Sequence, residues 1–342
     1  MDGLTFLDAT LILAGNRLNH KFMGCKIGNI LNWMIRAAIT SSTLLVMIIY
    51  RESRRHEPYI QHLQIMLRLP AGLMLMFLFA YRRTRVKRLI RQVIDCGIPK
   101  SLTFLTASCF VTAIIFLSFH VMTQLAISLQ EASVGSALWQ TIQCVPYQMN
   151  EYLVLYPAFY ITVMKILVDY ELKLLHRMKD KILSGTSRPL NLMKELHAMV
   201  EMNREFEYLF NIIPFVQFGI IFITIPAAVV EIRHGGNLAM IQSVYFGIEN
   251  ASFFLFISLL VYHACRSKDR VSESVASIIE LIHERHLNQL YTHGYHTLNN
   301  TLKSYAKLSF TGWYLFNIDR SVVLTFLSSI VTFSVLLIQL ES

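Results

Sequence analysis

Four ionisable side chains, Arg68, His120, Glu151 and Glu249, stand inside apolar runs long enough to cross a bilayer. A charge at mid-membrane costs about 2.5–3.5 kcal/mol on insertion scales, so a group kept there has a partner or a task. Counted from one common side at about 1.5 Å per residue, Arg68, Glu151 and Glu249 lie about 12–13 Å deep, with His120 at similar depth. Helical spacing brings further polar groups to that level. Gln242, Tyr245, Glu249 and Ser252 share one face, as do His120, Gln124 and Ser128, and Tyr147 is one turn from Glu151. Two chemistries fit this layer. One is a cavity of aromatic rings and a few polar groups, suited to a small organic ligand. The other is an ion pair of Arg68 with Glu151 or Glu249 that ties the helices together. Arg36 and Lys165 lie near run ends, where a charged head can snorkel to water.

A second candidate closes the chain. In SIVTFSVLLIQLES a single amide, Gln339, stands next to the end of an apolar run. Ser329, Thr332, Leu336, Gln339 and Leu340 recur at spacings of three and four and share a helix face. Read alone, Gln339 fits a helix end at the headgroup boundary. Other chemistry is weakly represented. The five cysteines (Cys25, Cys96, Cys109, Cys144 and Cys265) form no CxxC and no metal-ligand spacing. His283, His286, His293 and His296 read as a solvated face on a polar helix and turn. No catalytic constellation, cofactor motif or metal site emerges, so an enzyme is not expected.

The elements that must position these residues are membrane helices. Hydrophobic residues make up 54% of the 342, charged residues 15%, and the mean hydropathy is +0.46. Soluble domains run about 45–50% apolar and about 25% charged. Seven runs suffice to span a bilayer, at about 30–50, 60–81, 102–130, 142–168, 209–232, 241–263 and 321–340. Residues 1–20 lack the order of a signal peptide, with Asp2 and Asp8 interrupting them, and read as a short membrane-surface helix.

The net charge of +9 belongs to one side of that membrane rather than to nucleic-acid binding. Lys and Arg number three before the first run and seven in each of 82–101, 169–208 and 264–320. The opposite side carries three in 51–59, none in 131–141, Arg233, and none in the tail. The positive-inside rule therefore predicts a cytoplasmic N-terminus and an extracellular C-terminus. A rhodopsin-like metabotropic receptor would have the reverse orientation, with a DRY-like triplet and NPxxY, and neither motif is present. A secondary transporter would favour two related halves with interrupted helices. Pro146, Pro157, Pro214 and Pro226 interrupt spans four and five, but no internal repeat is visible.

The expected organisation is spans one to four in 1–168, cytoplasmic helices in 169–208, spans five and six in 209–263, more cytoplasmic helices in 264–320, and a last span in 321–342. The cytoplasmic segments are patterned. Val168, Leu172, Leu175, Met178 and Ile182 form one helical stripe. SGTSRP breaks it, and Leu192, Leu196, Met199, Asn203, Phe206 and Leu209 form a second. Val271, Val275, Ile278, Ile282 and Leu290 form a third. Such stripes pack on one another or on a second copy of the chain, or lie on the lipid surface.

The segment FTGWYLFNIDRSVVLTFLSSIVTFSVLLIQL resembles the C-terminal signature of the insect gustatory receptor family. There a Phe-Thr segment leads through an acidic residue or Asn and Arg-Ser into a final helix ending in Thr-Tyr, five residues, then Gln-Phe. Phe310, Thr311, Asp319, Arg320, Ser321, Thr332 and Gln339 match. Phe333 stands where the family has Tyr, and Leu340 where it has Phe, so the bulk is kept and one phenolic hydroxyl is lost. The resemblance implies an all-α, seven-helix, ligand-gated cation channel in the plasma membrane. It implies a homo- or hetero-tetramer whose last helices line a central pore and whose extended cytoplasmic helices form an anchor between subunits. The implied partners are a small-molecule tastant, permeating cations and the lipid bilayer. The implied pore face carries Ser329, Thr332, Leu336, Gln339 and Leu340, with Leu336 at the gate and Gln339 offering amides to partly dehydrated cations.

Overall fold

The computed structural model describes residues 59–94, 155–185, 188–234, 239–286, 293–307 and 309–340, with single helical positions between 30 and 48. Helix α1 spans Tyr59–Ile94 and α2 Leu155–Ser184. Helix α3 (Pro189–Phe210) and α4 (Ile212–His234) are separated by Asn211 alone. Helix α5 runs unbroken over the 48 residues of Ala239–His286. Helix α6 is His293–Tyr305, a hairpin of β1 (Thr311–Gly312) and β2 (Phe316–Asn317) follows, and α7 is Arg320–Leu340.

Helix boundaries follow local chemistry. Helix α2 ends where Gly185 takes φ 66° and donates its N–H to the Ile182 carbonyl at 3.2 Å, a left-handed position that glycine adopts cheaply. Pro189 opens α3 from an extended Arg188, as proline does in a first helical turn. Helix α3 ends at Phe210, four residues before Pro214, which has no N–H for the Phe210 carbonyl.

One expected loop is helical instead, and one expected helical continuation is present. Helix α1 continues through the basic stretch after residue 81 to Ile94, because Phe79, Val86, Leu89 and Ile90 keep an apolar stripe against the core. The run at 241–263 and the stripe after it are one helix, α5. The spans expected at 102–130 and in the first part of 142–168 lie outside the described residues. Within the described ones, stretches in Pro189–Pro226 and Arg320–Gln339 are apolar and long enough to cross a membrane.

Two cores are buried. The first gathers aromatics from α1, α2 and α3: Phe79 lies 5.3 Å from Tyr156, 5.6 Å from Phe159 and 5.7 Å from Phe210, and Phe206 lies 5.0 Å from Phe210. The second is where the stripes meet one another. Leu175, Met178 and Ile182 of α2 pack with Leu192, Leu196 and Met199 of α3 and with Val275, Ile278 and Ile282 of α5. Leu298, Leu302 and Tyr305 of α6 complete it. His283 and His296 are exposed, as expected of a solvated face, while the opposite face of α6 enters this core. Leu290 lies outside the described residues.

Candidate functional site

Helix α7 begins at a built cap. The Asp319 carboxylate accepts from Ser321 Oγ at 2.6 Å and from the Val322 N–H at 3.0 Å, the bond an N-cap side chain makes to an unpaired amide. These hydrogen bonds, first the one from Ser321, hold the Asp319 carboxyl below its ordinary range. The Asp-Arg-Ser of the signature is thus in part a helix start.

One side of α7 packs on the rest of the chain. Phe326 meets Phe218 edge-on at 4.7 Å, Phe333 stacks on Phe222 at 5.4 Å, and Ile330 and Ser334 are buried. The other side is exposed. At 100° per residue it divides into two strips. Ser321, Thr325, Ser328, Ser329, Thr332, Leu336 and Gln339 occupy one, all exposed, while Leu324, Val331 and Val335 form an apolar strip beside it. The hydroxyls of Thr325, Ser329 and Thr332 donate to carbonyls one turn back at 3.1, 2.9 and 2.9 Å. Their donors are spent within the helix and their oxygen lone pairs remain as acceptors. Leu340 is the last residue of the helix.

The segment before α7 is a latch on the α3–α4 junction. Thr311 donates both its N–H, at 3.1 Å, and its hydroxyl to Glu207 Oε2. The Trp313 N–H donates to the Asn211 carbonyl at 2.8 Å, and the Trp313 ring meets Phe215 at 4.9 Å. Phe310 packs on Phe206, and Phe316 on Phe218 at 5.2 Å. Gly312 is required here: a Cβ would lie 2.3 Å from the Phe316 ring.

Under the latch lies a cavity of about 220 Å³ lined by residues that include Glu171, Asn203, Glu207, Tyr305 and Tyr314. Glu171 is buried and accepts from Asn203 Nδ2, which also reaches the Tyr305 hydroxyl at 3.3 Å. Burial pushes the Glu171 carboxyl up to about 8 despite the hydrogen bonds from Tyr305 and Asn203. Burial likewise raises Glu207 to about 7, against the pull of Thr311. Glu207 Oε1 is buried with no hydrogen-bond partner, so the neutral acid has a natural place for its proton on that oxygen. None of Glu171, Glu207 or Tyr305 stood out in the sequence. The available signal was Asn203, a polar residue on an otherwise apolar stripe.

The residues expected at mid-membrane depth divide. Arg68 lies on α1, and Gln242, Tyr245 and Glu249 share a face of α5 by helical spacing; their side chains lie outside what the structure describes. His120, Gln124, Tyr147 and Glu151 are outside the described residues altogether. Among the described residues there is no cluster of three or more metal-ligating side chains.

No protein-family model matches the chain, and no curated protein matches it by sequence. Solved structures do match. The insect olfactory receptor OR5 from Machilis hrabei superposes with a TM-score of 0.72 at 11% identity, covering 98% of this chain and 97% of the receptor. The same receptor in complex with eugenol superposes with a TM-score of 0.75 at 13% identity, with the same coverage. The chain has the all-helical fold of an insect olfactory receptor over nearly its whole length.

Proposed function

We propose that this chain is a subunit of a ligand-gated, non-selective cation channel of the insect gustatory receptor kind, in the plasma membrane with its N-terminus cytoplasmic. The observation that carries the reading is α7, which turns a strip of hydroxyls and an amide away from its own subunit beside a strip of apolar side chains. In a ring of four copies, homomeric or heteromeric, the polar strip lines a water-filled axis and the apolar strip meets the neighbouring subunit. Leu336 forms the apolar constriction that dewets when closed, and the Gln339 amides replace part of a cation's hydration. Ser329 and Thr332 add acceptor oxygens further along the pore, and Leu340 ends it. The full-length fold match to an insect olfactory receptor supports the chemosensory kind, and the C-terminal signature supports the gustatory one.

The ligand is a small organic tastant held in the outer half of the bundle among Arg68, His120, Gln124, Tyr147, Glu151, Gln242, Tyr245 and Glu249. Glu249→Gln then shifts ligand sensitivity while surface expression stays near normal. If every substitution at Glu249 abolishes expression, the residue is a structural ion-pair partner, since orphaning a buried charge costs about 3–5 kcal/mol.

The test of the whole reading is expression in cells without chemoreceptors, with an epitope after Ser342. The epitope stains intact cells, and some member of a panel of sugars, alkaloids and amino acids drives calcium entry. Staining only after permeabilisation refutes the orientation and the channel together.

A further inference from the structure

A second concentration of charge lies along the α2–α5 pair. A groove of about 960 Å³ runs between the two helices. Helix α2 lines it with Lys165, Asp169, Lys173, His176 and Arg177, spaced so that they follow one face, and α5 with His263, Arg266, Arg270 and Glu273. Asp169 and Arg270 pair across the groove at 3.7 Å. The lining thus holds five Lys and Arg side chains, Lys165, Lys173, Arg177, Arg266 and Arg270, against two carboxylates, Asp169 and Glu273. Like charges gathered between two walls focus a positive potential that a multivalent anion satisfies better than scattered counterions.

The position of the groove selects the anion. Lys165 and His263 fall in the last turn of the runs assigned to spans four and six, so the groove opens at headgroup depth. It continues for about 18 Å away from the bilayer, twelve residues of helix from Lys165 to Arg177. Just above it on α5, Leu255 and Tyr262 are each 52% exposed. They offer an apolar edge on which an acyl chain can lie. Arg266 donates to the Tyr262 hydroxyl at 2.8 Å, joining the apolar edge to the basic wall.

We propose that the α2–α5 groove binds the headgroup of a membrane lipid carrying more than one phosphate, with Lys173 and Arg177 on one wall and Arg266 on the other as its ligands. That this is a lipid of the cytoplasmic leaflet rests on the orientation proposed above; the binding itself does not.

The test uses the purified full-length chain in detergent with a fluorescent dioctanoyl phosphatidylinositol 4,5-bisphosphate, read by anisotropy. The wild type binds it saturably. The pair Lys173→Gln and Arg177→Gln weakens binding by about thirty-fold, since each basic residue near an anionic surface contributes roughly five-fold. Arg266→Gln weakens it from the other wall, and Asp169→Asn does not weaken it. All of these side chains but Asp169 are exposed, and unchanged melting of the variants separates lost binding from lost folding. Inositol 1,4,5-trisphosphate, which has the phosphates without the acyl chains, displaces the probe poorly. The proposal falls if the wild type shows no saturable binding, as it would if another copy of the chain filled the groove. It also falls if the paired variant binds as tightly as the wild type, or if the free headgroup competes as well as the lipid. Because no current is measured, a chain that binds lipid and does not conduct keeps this inference and loses the channel reading, and the reverse result separates them equally.

Discussion

Helices α4 and α7 are both rich in apolar residues, yet they sit in opposite surroundings. Ile213, Val216, Phe218, Ile220 and Ile221 of α4 are buried within the chain, whereas Ile330 and Ser334 are the buried residues described on α7. Hydropathy cannot separate them, because it counts side chains without their neighbours. The difference lies in the polar residues. Apart from Arg320 and the buried Ser334, those of α7 fall on one strip, while α4 buries Gln217 and Thr224 singly. A helix that segregates its hydroxyls has two faces to satisfy, and only one of them is met within this chain.

The sharpest way to break that contrast is to remove bulk from each helix. Phe218→Ala takes away a ring that packs on both Phe316 and Phe326. A buried Phe→Ala change costs about 3–5 kcal/mol, so surface expression and the melting temperature of the solubilised protein fall together. Leu336→Ala, at a half-exposed position, leaves folding near that of the wild type and instead raises calcium entry without ligand. Gln339→Ala alters permeability ratios among cations more than ligand potency. Val335 on the apolar strip and half-buried Leu337 are the controls. If alanine at either opens the channel and Leu336→Ala does not, the strips are assigned to the wrong surroundings.

A smaller effect separates α7 from its latch. Docked, the Glu207 carboxyl titrates at about 7, above its ordinary 4.5, because burial disfavours its charge. A group raised in the docked state stabilises docking fully below its undocked value and loses that contribution as pH rises through the docked value. The latch therefore loosens as pH rises from about 4.5 to about 7. Hydrogen exchange at the Trp313 and Ile318 amides, corrected for intrinsic rates, accelerates over that window. Glu207→Gln, neutral at all pH, removes the dependence. The smallest effect expected is at Arg320, which reaches Asp269 at 3.4 Å with both side chains largely exposed. Arg320→Ala changes stability by less than about 0.5 kcal/mol in the melting of the solubilised protein.

The amino-acid sequence made the long helices legible, because a 3.6-residue period persists through Leu175, Met178 and Ile182, through Leu192, Leu196 and Met199, and through Val275, Ile278 and Ile282. It also marked the face of α7 that stays uncovered. The hairpin was not legible. It needs positive φ at Trp313 (46°) and Tyr314 (59°), a region bulky side chains rarely enter. Contacts with Phe215 and Asn211, distant in sequence, hold it there. Nor could Glu171 and Glu207 be told from solvated residues of amphipathic helices, since their burial depends on α6 and the hairpin arriving from elsewhere in the chain. Helix α6 shows Leu298, Leu302 and Tyr305 at helical spacing, but over only 13 residues, too short a run to declare a buried face.

The unbroken length of α5 has a mechanical consequence. Its 48 residues extend for about 72 Å at 1.5 Å per residue. Such a rod is a lever. A tilt of about 5° that leaves one end in place carries the other about 6 Å, more than one full turn of a neighbouring helix. Glu249 lies near one end and Ile278 and Ile282 near the other. A displacement too small to disturb packing around the first becomes a stroke long enough to re-register the second, and the span between them needs no relay of its own.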